Sequence, residues 1–179
     1  MADRMQGNCH EYAGETVMNM LQRCKTYLEE AGARYSHSVH ASAPTARQVA
    51  AAECMPAEEL AKVVVYVGNT GYGLLVLPAD SMVDFGEVRR LLGLRDVCLA
   101  EEAELIGLFP GCELGAMPPF GNLFEMPVLM DERIATGEFM AFNAGTHQDV
   151  IRMSVTDFRR LVNPLVADFA VKTGSPILT

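Results

Sequence analysis

Long apolar runs are missing from this chain. None approaches the roughly 18 residues that a membrane-spanning helix needs. The N-terminus carries Asp3, Arg4 and Gln6 and lacks the apolar stretch of a signal peptide. A cytoplasmic setting with no membrane partner is expected. Paired cysteines are missing as well. Cys9, Cys24, Cys54, Cys98 and Cys112 are odd in number, and none forms a C-x-x-C pair. This speaks against a disulfide framework and against a zinc site, so the thiols read as buried and free, with no metal and no organic cofactor. Basic residues are scarce: 14 Lys and Arg stand against 23 Asp and Glu, a net charge of −9. Phosphate contacts are made by Lys and Arg, so any nucleic acid would be held weakly over most of its length. Internal repeats, low-complexity tracts and a second-domain linker are also absent.

What is present fits one globular body. The chain has 179 residues, half of them apolar, enough to bury a core and too many to stay disordered. Residues 15–31 place Val17, Met20, Leu21, Cys24 and Leu28 at helical spacing before Gly32. This segment, within residues 1–33, reads as a helical extension packed on a body at 34–179 that carries a C-terminal helix. Residues 35–40 read as a strand. Thr45-x-x-Gln48 has the form of a capping box opening an alanine-rich helix. The β-rich runs 62–68 and 73–78 flank Asn69-Thr70-Gly71-Tyr72, a hairpin signal. Asp84-x-x-Glu87 opens a helix ending at Leu92 before Gly93. A short strand near Val97 and a helix from Glu101 to about Leu108 follow. Strands are expected near 127–131, 138–142 and 149–153, then a helix opened by Ser154-x-x-Asp157. The fold class is mixed α/β, with a curved, mostly antiparallel sheet surrounded by helices.

One loop carries most of the chemical information. Gly115-Ala116-Met117-Pro118-Pro119-Phe120-Gly121 has two prolines that fix φ and remove two donors. Its glycines allow a tight turn or a close approach to a ligand. Such a rigid segment can aim backbone N–H groups at a substrate oxygen. It can equally be a stiff connector between strands.

Several pieces stand around this loop in a fixed order. They are Thr45 to Ala50 (Thr-Ala-x-x-Val-Ala), Lys62 at the head of Val63-Val64-Val65, and Leu77-Pro78-Ala79-Asp80 before a helix with Asp84. The G-x-x-x-P loop from Gly115 to Pro119, Asp131, and the Ala144-Gly145 turn complete the series. Together they resemble the YbaK/ProX family of aminoacyl-tRNA deacylases, whose domain is also found inserted in bacterial prolyl-tRNA synthetases, over roughly residues 34–164. The resemblance implies a partly barrel-like sheet and an editing hydrolase that cleaves the ester of a mischarged tRNA. The suggested substrate is tRNA(Pro) carrying a small residue such as alanine or cysteine. It implies the aminoacyl-tRNA 3′ end as partner and prolyl-tRNA synthetase as a candidate second partner. Recognition confined to that end would tolerate the acidic charge. A monomer and a homodimer both stay open.

The resemblance also assigns roles. Backbone contacts to the substrate would come from Gly115, Ala116 and Met117, with Pro119 completing the loop, since Pro118 and Pro119 have no N–H. Lys62 would contact the substrate's 3′ end, and the neighbouring ribose hydroxyl would assist the chemistry in place of a dedicated base. Asp131, His40, Thr45, Gly145, Thr146 and His147 would line the pocket. Each has a plainer alternative. Lys62 can snorkel from a strand edge, Asp131 can end its strand, Thr45 can cap its helix, and Thr146 and His147 can belong to a solvated turn. Ala116 and Met117, where relatives often carry a second glycine at 116, would narrow the pocket toward a small side chain. Two other readings compete with hydrolysis. One is a catalytically inactive module of the same fold that binds a nucleotide or a protein. The other is a thiol-redox protein that uses Cys112.

Overall fold

The structure, a computed structural model, describes residues 19–40 and 59–173. Helix boundaries fall on residues that can satisfy orphan backbone groups. Asn19 caps α1 (Met20–Glu30), its side chain accepting from the Gln22 amide at 2.8 Å. Asp84 caps α2 (Phe85–Leu92) by accepting from the Glu87 amide, and Gly93 closes it with φ of 62°. Glu101 and Glu104 form a capping box at α3 (Glu102–Leu108). Asp131 opens the short α4 (Glu132–Ala135), and Ser154 opens α5 (Val155–Val162). The helix segments predicted from 15–31, 84–92, 101–108 and 154 onward therefore appear. The Thr45 helix lies outside the described residues.

The strands are β1 (Tyr35–Val39), β2 (Ala61–Gly68), β3 (Gly71–Pro78), β4 (Ser81–Val83), β5 (Val97–Leu99), β6 (Val128–Asp131), β7 (Phe139–Asn143), β8 (Asp149–Ser154), β9 (Leu165–Ala167) and β10 (Ala170–Lys172). They form a five-stranded sheet in the order β5-β2-β3-β6-β9, a three-stranded sheet β1-β8-β7, and a β4–β10 pair. The β2–β3 hairpin pairs Gly68 with Gly71 across a two-residue tip. Pairing is antiparallel except where β6 lies parallel to β3 and to β9. β6 follows β3 only after α2, β5, α3 and the proline loop, and so long a crossover allows parallel entry. A parallel bridge from Leu60 to Ala141 joins the two larger sheets, with the Ala141 amide donating to Glu59 O at 2.9 Å. β4, β9, β10 and α4 are three or four residues each, too short to show a periodicity in sequence. The chain thus does not end its fold on α5: β9 follows it as an edge strand of the five-stranded sheet, and β10 pairs with β4.

Both faces of the five-stranded sheet are covered. Ala61, Val63 and Val65 of β2 enter the main core with Met20, Cys24 and Leu28 of α1, Met140 and Phe142 of β7, and Phe158 of α5. Alternation turns Val64 and Tyr66 to the other face. There Tyr66 packs with Leu75, Leu77, Val88 of α2 and Phe169.

Candidate functional site

Phe120 anchors the proline loop. It is fully buried, with ring centroids 5.3 Å from Tyr27, 5.2 Å from Phe142 and 6.0 Å from Phe158. Ala116, Met117 and both prolines are buried with it, while Gly115 stays exposed at φ of 87°. Gly121 must be glycine, because a Cβ there would run into Met126 O and Val128. α1 holds the loop from outside. The Tyr27 hydroxyl accepts from Asn122 Nδ2 at 2.6 Å and donates to Leu161 O at 3.2 Å, and the Arg23 guanidinium donates to Leu123 O.

A second clamp ties the loop to the turn after β7. The Glu113 amide donates to Gly145 O at 2.8 Å, and the Gly145 amide donates to Ala116 O at 2.9 Å. Gly145 sits at φ of 98° against α1, where a Cβ would lie 2.5 Å from Met20 Cβ. His147 joins from the same turn. Its amide donates to Glu113 Oε2 at 2.7 Å, and its Nε2 lies 2.9 Å from Leu114 O. A carbonyl only accepts, so Nε2 carries the proton and Nδ1 holds a lone pair. Nδ1 is buried and has no partner among the described residues.

The loop amides divide. The Ala116 amide donates to Glu113 O at 3.0 Å, closing a turn, which removes Ala116 from the donors expected to meet a substrate. The amides of Gly115, Met117 and Phe120 have no acceptor among the described residues. Gly115 and Met117 are the two of these that the resemblance assigns to substrate.

Lys62 approaches from the other side of β2. Ala61 and Val63 share the main core with Met117, so Lys62 between them points to the opposite face. Burial of its ammonium lowers the pKa below the ordinary lysine value, opposed by the nearby Asp80 carboxylate. The isolated parallel bridge Leu60–Ala141 brings the start of β2 against β7, whose last residue is Asn143. Asn143 is 8 % exposed, and its Oδ1 is buried without a partner among the described residues. Ala144 and Gly145 follow directly. Asn143 leads directly into the Gly145–Ala116 clamp, and Lys62 lies two residues beyond the bridge that joins the start of β2 to β7. Asn143 was not singled out from sequence. Its one signal there was its place immediately before Ala144-Gly145, and an asparagine at a turn reads first as turn chemistry.

The other expected residues have different surroundings. Thr146 builds its own turn, donating to Asp149 Oδ2 at 2.6 Å and accepting from the amides of Gln148 and Asp149. Asp149 also meets His37 Nε2 at 2.8 Å, and Lys25 Nζ stands 3.1 Å from His37 Nδ1. The His40 amide donates to Gln148 O, which sets His40 beside this turn. Asp131 is fully buried and away from the loop. It accepts from the Arg133 side chain at 2.9 Å and from the Ala170 amide at 3.1 Å, while Arg133 reaches Ser81 Oγ and Ala170 O. Its carboxylate ties β6 to β4 and β10. Thr45 lies outside the described residues. Burial pushes the Cys112 thiol up to about 11 and that of Cys24 up to about 12, so the reactive thiolate is scarce near neutral pH. Among the described residues no group of three His, Cys, Asp or Glu stands ready for a metal ion.

The family described as aminoacyl-tRNA editing domain matches residues 40–161. No curated protein matches the sequence. A crystal structure described as a "putative trans-editing enzyme for prolyl tRNA synthetase" is 26% identical, with a TM-score of 0.74, covering 87% of this chain and 98% of its own. The "hypothetical protein APE2540" shares the fold at 18% identity and a TM-score of 0.76, covering 83% of this chain and 99% of its own.

Proposed function

Because this chain belongs to the aminoacyl-tRNA editing domain family and is an aminoacyl-tRNA deacylase, we propose that it hydrolyses tRNA(Pro) mischarged with a small amino acid such as alanine or cysteine, at the seam from Lys62 through Asn143 to the Gly115–Pro119 loop. An aminoacyl ester has three features to recognise. Its carbonyl becomes an oxyanion, its α-ammonium needs acceptors, and its ribose ends a polyanion. The open amides of Gly115 and Met117 suit the oxyanion. The Asn143 carboxamide oxygen suits the α-ammonium, which gains most from an acceptor already desolvated. Lys62 suits the 3′-terminal phosphate or ribose.

The observation that carries this reading is the Asn143 Oδ1, buried and unpartnered among the described residues, on the strand bridged to the start of β2 and two residues before the loop clamp. Buried polar atoms without partners are rare in folded proteins and call for a reason. The buried Ala116 and the large Met117 favour a small side chain in the pocket. One methylene is worth only about 1–3 kcal/mol in such discrimination, so alanine and cysteine need direct comparison. Prolyl-tRNA synthetase fits as a partner that supplies the charged tRNA, since the acidic chain holds few phosphates itself.

The test is hydrolysis of tRNA(Pro) charged with alanine, cysteine, serine, threonine or proline, with Lys62→Ala as control. The expected result is fast release of one small non-cognate residue, sparing proline and lost in the variant. Release of none by folded protein would overturn the substrate assignment.

A further inference from the structure

An open cleft of about 750 Å³ lies at the far end of β2, between α2 and β5. Gly68 and Asn69 form its floor, Phe85, Gly86 and Arg89 one wall, and Arg95 to Cys98 the other. Its shape is built into the backbone. The Arg95 amide donates to Asn69 Oδ1 at 2.9 Å, which fastens the segment after α2 to the hairpin tip. A Cβ on Gly68 would come within 3.0 Å of Leu94 Cδ1 and 3.3 Å of Asp96 O, so glycine lets that segment lie close.

Four arginines among the described residues are held in ion pairs. Arg90 pairs with Glu87, Arg133 with Asp131, Arg152 with Glu59 and Arg160 with Asp157. The side chains of Arg89 and Arg95 have no ion pair among the described residues, and both residues are exposed. Asp96 is the single acid lining the cleft. Two guanidiniums against one carboxylate leave a local positive site on a protein of net charge −9. Such a site is best suited to a phosphate, which guanidinium groups bind with directed hydrogen bonds.

Its placement relative to Lys62 suggests the source of that phosphate. Lys62 and Gly68 have the same parity on β2 and are six residues apart, about 20 Å at the rise of a strand. The 3′ end of a tRNA is single-stranded, and its successive phosphates lie several ångströms apart, so a strand anchored at that end by Lys62 spans this distance within a few nucleotides and brings a backbone phosphate to the cleft. We propose that the cleft flanked by Arg89 and Arg95 is a second subsite, which takes a backbone phosphate of the tRNA whose aminoacyl end is hydrolysed at the Lys62 seam. The proposal rests on the deacylase reading for its ligand, but not for its charge.

The experiment compares wild type with an Arg89→Ala, Arg95→Ala double variant. Neither residue belongs to the hydrolytic seam. Binding of uncharged tRNA is measured against salt, and hydrolysis is measured on full-length aminoacyl-tRNA and on an aminoacylated 3′-terminal adenosine. The expected result is a salt slope shallower by about 1–2 and a KM for full-length tRNA raised roughly tenfold, with kcat unchanged. Hydrolysis of the minimal ester should not change. Cys98, exposed in the cleft wall, reports occupancy directly. Its alkylation, read by peptide mass, should be slowed by tRNA in wild type and not in the double variant. An unchanged slope and KM would overturn the subsite, as would an equal loss on both esters. Protection of Cys98 by inorganic phosphate or a mononucleotide, but not by tRNA, would also overturn it. Should wild type hydrolyse no ester while the slope and the protection still depend on the two arginines, the deacylase reading fails and the subsite stands.

Discussion

Two buried polar regions of this protein are constructed in opposite ways. Around Asp131 the hydrogen bonding is closed. The carboxylate is completely buried, Arg133 reaches it through Nε and its own amide, the Ala170 amide completes it, and the rest of the guanidinium goes to Ser81 and Ala170. Along the seam from Lys62 to Gly115 it is open. Among the described residues the Asn143 oxygen and His147 Nδ1 are buried without partners and the loop amides of Gly115, Met117 and Phe120 lack acceptors, while Lys62 is held where its charge is poorly solvated. A closed network serves the fold, because each member compensates the burial of another. Open groups held in place by a rigid backbone cost stability and gain it back only when a ligand arrives. Both regions contain residues that resemblance assigns to the pocket, and among the described residues the unpartnered groups lie in the open one.

Breaking the closed region should have the largest effect on folding. Asp131→Ala leaves the Arg133 guanidinium and the amides of Arg133 and Ala170 without their acceptor. We expect a loss of about 3–5 kcal/mol, read by urea denaturation. Any fall in hydrolysis should follow the fraction unfolded. If the folded Asp131→Ala protein instead lost turnover at full stability, the contrast between the regions would be broken.

Lys62→Ala should do the reverse. We expect hydrolysis to fall on the order of a hundredfold, with a melting temperature equal to or above that of wild type. The sign follows from linkage. The folded-state pKa of Lys62 lies below its unfolded value, so the unfolded chain binds the proton more readily, and stability rises as pH climbs through the folded pKa. Below that range the charged side chain opposes folding, and its removal relieves the cost. A melting temperature clearly lowered by Lys62→Ala would place this residue with Asp131.

Asn143→Ala should sharpen the open region further. We expect KM for aminoacyl-tRNA to rise roughly tenfold, the loss of about one hydrogen bond to a charged group. Stability should shift by no more than about 0.5 kcal/mol, because no protein partner is lost. The smallest effect is one of pH. Burial would raise the Asp149 pKa, but hydrogen bonds from Thr146 and His37 and the charge of Lys25 hold it below the ordinary value. Its contribution is therefore complete above the unfolded carboxylate pKa, about 3.9, and disappears as pH falls through the lower folded value. Asp149→Asn should cost stability at neutral pH by an amount that shrinks below about pH 4 in thermal melts. A difference independent of pH would show that the turn owes nothing to this charge.

Much of this contrast was legible in the sequence as position, and little of it as role. Asp84, Gly93 and Ser154 mark their helix ends because capping is a local event. The hairpin of β2 and β3 announces itself through a β-rich run on each side of Asn69-Thr70-Gly71-Tyr72. The clamp between Gly145 and Ala116 joins segments far apart in the chain, and no local pattern encodes it. For the same reason the Ala116 amide read as a donor to substrate, although Glu113 takes it. Asp131 reads like any acid at a strand end, and its pairing with the Ala170 amide depends on β10, which is too short to be seen. Asn143 lay one residue before a recognised turn. What distinguishes it is the burial of its oxygen, on a strand that a bridge between two sheets brings against the start of β2.

The most direct measurement is a double-mutant cycle on single-turnover hydrolysis of mischarged tRNA, with Lys62→Ala, Asn143→Ala and the combination, each checked for folding. If both groups hold one substrate in one site, the combined loss will be well short of the product of the single losses. Single variants that hydrolyse at the wild-type rate, or losses that multiply independently, would contradict a site at this seam.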